Sequence, residues 1–191
     1  MIKIKYIAHR GCHDKYKENS IDAFKEATRN PLFDGFEFDV RETKDHYYVI
    51  NHDPVSNGKI IKLSLFKELN LPSLEDVLKL NTNKIKLLEI KDYFINYDSF
   101  IKLVKDIDNL YIMSFYNHHI KYLNRMINNK VGSLNYYLND MDYYHYDFIC
   151  LLSSTKKEVL NYQFNHKEIF YYGFKKHHLN DDAYLIIDKI T

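Results

Sequence analysis

The sequence has no tryptophan, and among its 191 residues only two cysteines, three prolines and five glycines. Cys12 and Cys150 are too few to staple a chain of this length, so a disulfide framework is excluded and a reducing compartment, the cytoplasm, is expected. An excess of one charge is missing too. Twenty-seven basic residues face 26 acidic ones and the two signs are interspersed. This leaves neither the basic stripe of a nucleic-acid binder nor an acidic tail for a charged partner. No apolar run reaches the roughly 20 residues of a transmembrane helix. The stretch from Ile2 to Ala8 is too short for a signal peptide and is broken by Lys3 and Lys5. No linker, repeat or low-complexity segment interrupts the chain, so one domain over residues 1–191 is expected.

What is present is an alternation of short apolar segments with helical patterns, the signature of βα units around a parallel sheet. Strands are expected at Ile4–Ala8, Phe36–Val40, Tyr47–Ile50, Ile85–Ile90, Leu110–Ser114, Gly132–Tyr136, Phe148–Leu152, Ile169–Phe174 and Tyr184–Ile187. Helices are expected at Ser20–Arg29, Leu74–Leu80 behind a Ser73 cap, Phe100–Ile107, His118–Ile127 and Thr155–Phe164. If Tyr47–Ile50 is an extra short strand, eight remain, enough to close a (β/α)8 TIM barrel. Such barrels run to about 250 residues, so this one needs short loops and a missing or minimal terminal helix.

The chemistry sits at the ends of these segments. In Gly35-Phe36-Glu37-Phe38-Asp39-Val40, strand alternation puts Phe36, Phe38 and Val40 on one face, Glu37 and Asp39 on the other. Neither face of a helix-covered parallel sheet is solvated, so inward carboxylates need cations. Leu88-Glu89-Ile90-Lys91 repeats the device. Glu37, Asp39 and Glu89 could bind a hard divalent ion, although paired acids of this kind are more often structural. His9 ends the first strand and His52 the short one. A lone histidine there is usually structural, but two can serve as general acid and general base. Arg10 offers a planar fork for phosphate oxygens, with a surface salt bridge as its plainer use. Asn19 could fix His9 or a ligand oxygen, or cap the helix from Ser20. Cys12 reads as a bystander.

Taken in order, Ala8-His9-Arg10-Gly11, Glu18-Asn19-Ser20, Glu37-Phe38-Asp39-Val40, Thr43-Lys44-Asp45, His52-Asp53, Pro72-Ser73-Leu74-Glu75-Asp76, Leu88-Glu89-Ile90-Lys91 and Ser114-Phe115 resemble the glycerophosphodiester phosphodiesterase family. The resemblance spans the chain but thins after Phe115. It implies a distorted (β/α)8 barrel and one divalent cation, Mg²⁺ or Ca²⁺. It also implies catalysis by His9 and His52, metal ligation by Glu37, Asp39 and Glu89, and phosphate contacts from Arg10 and Lys91. The implied reaction hydrolyses a glycerophosphodiester to glycerol 3-phosphate and an alcohol, by way of a cyclic phosphate. A lysophospholipase-D-like action on lipid phosphodiesters is the alternative, and a non-catalytic binding module a distant third.

Two departures from the family pattern bear on substrate. The stretch from Pro54 to Leu71 is short, with Ser56-Asn57-Gly58-Lys59 as its turn signal, which implies an open mouth. Tyr172-Gly173-Phe174-Lys175 stands where the family carries a Trp-Thr-Val-Asn-like run, and Asp188 matches its closing acid. The tyrosines at 136, 137, 143, 144 and 146 read as core and edge filling. The pairs His118-His119 and His177-His178 read as surface residues without partner ligands.

Overall fold

The computed structural model describes residues 4–137, 146–152, 168–173 and 183–189. Its strands, in chain order, are β1 (Lys5–Ala8), β2 (Gly35–Glu42), β3 (Tyr48–Ile50), β4 (Val55–Ser56), β5 (Lys59–Ile60), β6 (Ile85–Ile90), β7 (Leu110–Ser114), β8 (Lys130–Asn135), β9 (Phe148–Leu152), β10 (Glu168–Tyr172) and β11 (Tyr184–Ile187). Eight of them run parallel in the order β1-β2-β6-β7-β8-β9-β10-β11. The circle closes where β1 pairs with β11, Ala8 opposite Ile187. All nine expected strands are found, and β3 is the extra one, laid antiparallel on the end of β2. The sequence reading missed only the hairpin strands β4 and β5. They turn at Asn57 and Gly58, whose φ values of 49° and 74° are those of a type I′ turn.

Helices α1 (Ile21–Arg29), α2 (Leu74–Leu78), α3 (Tyr97–Val104) and α4 (Asn117–Met126) lie between strands. Ser20 caps α1 by accepting from the Ala23 N–H. Ser73 and Asp76 cap α2 reciprocally. Helix α3 begins three residues before the expected Phe100, because Asn96 accepts from the Ser99 N–H. A periodicity reading starts at the first apolar residue and passes over a polar first turn. The expected helix Thr155–Phe164 lies outside the described residues. No helix among the described residues is long and apolar enough to cross a membrane.

Side-chain alternation builds two layers. Phe36, Phe38, Val40, Leu88, Ile90 and Ile112 face outward and pack with Phe24 of α1, Leu74 and Val77 of α2, and Ile120 and Leu123 of α4. Ile7, Leu87, Tyr111, Met113, Phe148, Cys150, Phe170 and Ile186 fill the interior. Gly35 lies where β2 meets both neighbours. A Cβ there would stand 2.5 Å from the Ile85 carbonyl oxygen and 2.8 Å from the Ile7 side chain, so the strands close only around a glycine.

The tyrosines divide. Tyr146 is buried, Tyr136 and Tyr137 are exposed, and 143 and 144 lie outside the described residues, as do His177 and His178. The surface reading of His118 and His119 is half corrected. His118 is exposed but His119 is fully buried on the inner side of α4. Its Nε2 donates to the Asp92 carbonyl at 2.8 Å and its Nδ1 accepts from the Tyr97 hydroxyl at 2.7 Å. Burial pulls its pKa down to about 4, so it is a neutral structural histidine.

Candidate active site

Every residue singled out at a strand end lies at one end of the barrel. His9, Arg10, Glu37, Asp39, His52, Glu89 and Lys91 line a single cavity of about 500 Å³. The strands supply the positions. His9 follows β1, Glu37 and Asp39 are the inward residues of β2, His52 follows β3, and Glu89 with Lys91 closes β6.

The three carboxylates form the floor. Glu37, Asp39 and Glu89 each offer an oxygen within 4.8 Å of the others, and all three are buried. Burial above all, then the charges of Asp39 and Glu89, pushes the Glu37 pKa well above the ordinary carboxylate range. Burial likewise lifts Glu89 to about 7, against the downward pull of Lys91. Two cations answer. Lys91 Nζ donates to Glu89 at 2.7 Å and lies 3.6 Å from Asp39. Burial opposes charge on Lys91, but Glu89 and Asp39 outweigh it and hold its pKa up. Arg10 Nη1 donates to Glu18 at 2.9 Å, and its backbone N–H donates to Glu37 at 3.0 Å. Its Nε stands 3.4 Å from Asp39 without a hydrogen-bond partner. Three buried carboxyl groups converge within reach of one another, and hard oxygen donors so arranged suit a divalent cation.

The turn after β1 is left-handed at both Arg10 (φ 54°) and Gly11 (φ 78°). A Cβ on Gly11 would meet Ala23 at 2.8 Å, so the turn can tuck under α1 only with glycine there. Asn19 neither contacts His9 nor caps the helix. Its amide donates to the Asp39 carboxylate at 2.8 Å, and its oxygen accepts from the Asp39 N–H at 3.3 Å. That two-point clamp fixes Asp39 on the floor.

Each rim histidine has an acid behind it. His9 Nδ1 donates to Asp188 at 2.7 Å, and His52 Nδ1 to Asp53 at 2.8 Å. Nε2 is therefore the basic nitrogen of each neutral ring. Burial lowers the His9 pKa, with Asp188 working against it. Hydrogen bonding to His52 holds Asp53 below the usual carboxylate range. Behind His52, Arg41 grips the His52 carbonyl with Nε (2.9 Å) and Nη2 (2.7 Å), while its Nη1 meets Asp92 at 2.6 Å.

Arg41 and Asp92 were not singled out, and Asp188, noted as the family's closing acid, was given no role at the site. Asp53 was visible as the neighbour of His52, but Asp188 is 179 residues from His9 and nothing local joins them. The opposite wall of the cavity is apolar, with Met113, Phe115, Leu134, Tyr172 and Ile186. The Tyr172 hydroxyl is tied back to the Asn135 carbonyl at 3.0 Å.

Comparison with known proteins agrees with this geometry. A "Glycerophosphodiester phosphodiesterase" of Caldanaerobacter subterraneus subsp. tengcongensis is 32% identical over a 147-residue alignment that takes in 62% of this chain and 60% of that protein. The chain thus spans about 60% of that relative's length. The crystal structure of a glycerophosphodiester phosphodiesterase from Thermotoga maritima superposes with a TM-score of 0.77 at 23% identity, over 98% of this chain and 96% of the other. An Oleispira antarctica phosphodiesterase solved with the product sn-glycerol-3-phosphate superposes at 0.75, with 14% identity, over 90% and 85%. At these identities the structures attest the fold. The sequence profile of the Glycerophosphoryl diester phosphodiesterase family matches residues 9–129, which carry His9, Arg10, Glu37, Asp39, His52, Glu89 and Lys91 but not Asp188. With more than half its length matched and the barrel around it, the chain belongs to the glycerophosphoryl diester phosphodiesterase family.

Proposed function

We propose that the protein is a metal-dependent phosphodiesterase that splits glycerophosphodiesters into glycerol 3-phosphate and an alcohol. The observation that carries the reading is one cavity holding two acid-backed histidines above three buried carboxylates and two cations. Arg10 and Lys91 are the groups that bind and orient the phosphate, and charge assistance from both would offset negative charge gathering on its non-bridging oxygens. One histidine accepts the proton of the glycerol hydroxyl next to the phosphodiester as that oxygen bonds to phosphorus. The other gives its proton to the alcohol oxygen as the phosphorus–oxygen bond to the alcohol breaks. Water then opens the resulting cyclic phosphate, with the two histidines in exchanged roles. Asp188 and Asp53 keep each ring in the tautomer whose Nε2 can do this. A divalent cation, Mg²⁺ or Ca²⁺, held by Glu37, Asp39 and Glu89 would supply Lewis-acid neutralisation at the phosphate. The product bound to the Oleispira antarctica phosphodiesterase supports the same substrate class.

A second reading, lysophospholipase-D-like hydrolysis of lipid phosphodiesters, is favoured by the apolar wall of Met113, Phe115, Leu134 and Tyr172. Two free buried thiols, Cys12 and Cys150, support a cytoplasmic location. Release of glycerol 3-phosphate from glycerophosphocholine, with Mg²⁺ or Ca²⁺ and again with EDTA, tests the first reading. Turnover abolished by EDTA and restored by one ion supports it. Turnover of lysophosphatidylcholine alone would transfer the assignment to the second reading, and none on either substrate by folded protein would refute both.

A further inference from the structure

The geometry points to an anionic phospholipid surface as the docking partner of the cavity's rim. Two loops leave that rim, one after His52 and one after Lys91, and both expose large apolar side chains. In the first, Val55 is 45%, Ile60 49% and Leu63 68% exposed, and in the second Tyr93 is 55% and Phe94 71% exposed. The loops touch, because Lys62 Nζ donates to the Phe94 carbonyl at 3.1 Å. The apolar tips therefore belong to one patch beside the mouth and not to scattered surface residues.

Charge names the occupant. Residues 54–67 carry three lysines, Lys59, Lys62 and Lys67, between two acids that are already engaged, Asp53 with His52 and Glu68 with the Leu65 N–H. Lys62 is spent on the buried Glu42 carboxylate. Lys59 and Lys67 are exposed, with Lys59 donating to the Glu68 carbonyl. Apolar tips in a segment that also exposes Lys59 and Lys67 are the make-up of an interfacial segment, which buries the tips among acyl chains and leaves the ammonium groups at anionic headgroups. The first loop, which displays Val55, Ile60 and Leu63, is held from below by Ile61, which is buried with Val49 and Leu69. The tips of this loop are thus presented by a packed element.

Delivery of a lipid phosphodiester to the cavity would rest on the phosphodiesterase reading, whereas binding to the surface does not. The test is cosedimentation of the full chain with vesicles of phosphatidylcholine alone and of phosphatidylcholine mixed with phosphatidylglycerol. The wild type is expected to sediment with the mixed vesicles and to be released by salt. Leu63→Asp with Phe94→Asp, and separately Lys59→Glu with Lys67→Glu, should each weaken binding by at least about tenfold. Both pairs are exposed and outside the cavity, so turnover of soluble glycerophosphocholine and the circular dichroism spectrum should not change. No binding to mixed vesicles, binding indifferent to lipid charge, or variants that bind like wild type would each overturn the proposal. Vesicle binding by a protein inactive on every phosphodiester would leave the docking surface standing and remove the enzyme reading alone.

Discussion

Metal binding at the carboxylate floor must compete with protons, and the structure sets how strongly. Without metal, burial holds Glu89 at about 7 and Glu37 well above its ordinary value, so the floor carries bound protons at neutral pH. A cation that takes its place there must expel them. For Glu89 alone, proton competition weakens the apparent affinity about elevenfold at pH 6 and hardly at all at pH 8, a net change of about tenfold. Glu37 is raised in the same direction and adds to the competition, so tenfold is a lower bound. Stability follows the same linkage with opposite signs in the two states. In metal-free protein Glu89 is raised above its unfolded value of 4.5, so its contribution is fully present below that pH and is lost as pH rises through about 7. With metal bound the ionised acids are stabilised instead, and the melting-temperature gain from added Mg²⁺ or Ca²⁺ should grow from pH 6 to pH 8. Titration calorimetry in two buffers of different ionisation enthalpy counts the protons released. An affinity flat between pH 6 and pH 8, or binding without proton release, would refute the reasoning.

Other outcomes follow from single residues. His9→Ala and His52→Ala should each cut turnover by roughly 10²- to 10⁴-fold with the circular dichroism spectrum intact, and full activity in either would remove the acid–base roles. Asp188→Asn takes away the carboxylate charge that raises the His9 pKa, so the limb of the pH–rate profile belonging to His9 should move to lower pH, as read from kcat/KM. Asn19→Leu strips Asp39 of two hydrogen bonds in a buried site and should cost about 1–3 kcal/mol in urea unfolding, besides weakening metal affinity. Gly35→Ala forces a methyl within 2.5 Å of the Ile85 carbonyl and should destabilise by about 1–3 kcal/mol, measured by the same unfolding.

How much of this was legible in the sequence depends on the range of the interaction. Strands such as Phe148–Leu152 announce themselves because a buried parallel strand must be apolar along its length. Glu37 and Asp39 stood out because they break that rule with period two. Asn19 was visible as a polar residue before a helix, but local spacing favoured the helix end, and only the fold brings it against Asp39. Asp188 was noted as the family's closing acid, but its role was hidden, since its bond to His9 exists only once β1 and β11 pair. His119 was misjudged because a doublet on a helix was assigned to the surface as a unit. The register of α4 turns one member out and buries the other among Ile120 and Leu123.

The bond between His9 and Asp188 also makes timing a property of the site. The histidine leaves the ribosome 179 residues ahead of the carboxylate that fixes its ring. The carboxylate floor, by contrast, needs nothing beyond Lys91. A nascent chain could therefore gather its acids early and still lack a properly oriented His9 until β11 seats beside β1. Such a long-range contact is among the slowest for a chain to make. Catalytic competence would then report barrel closure, and the regain of activity after dilution from urea should trail the regain of metal binding.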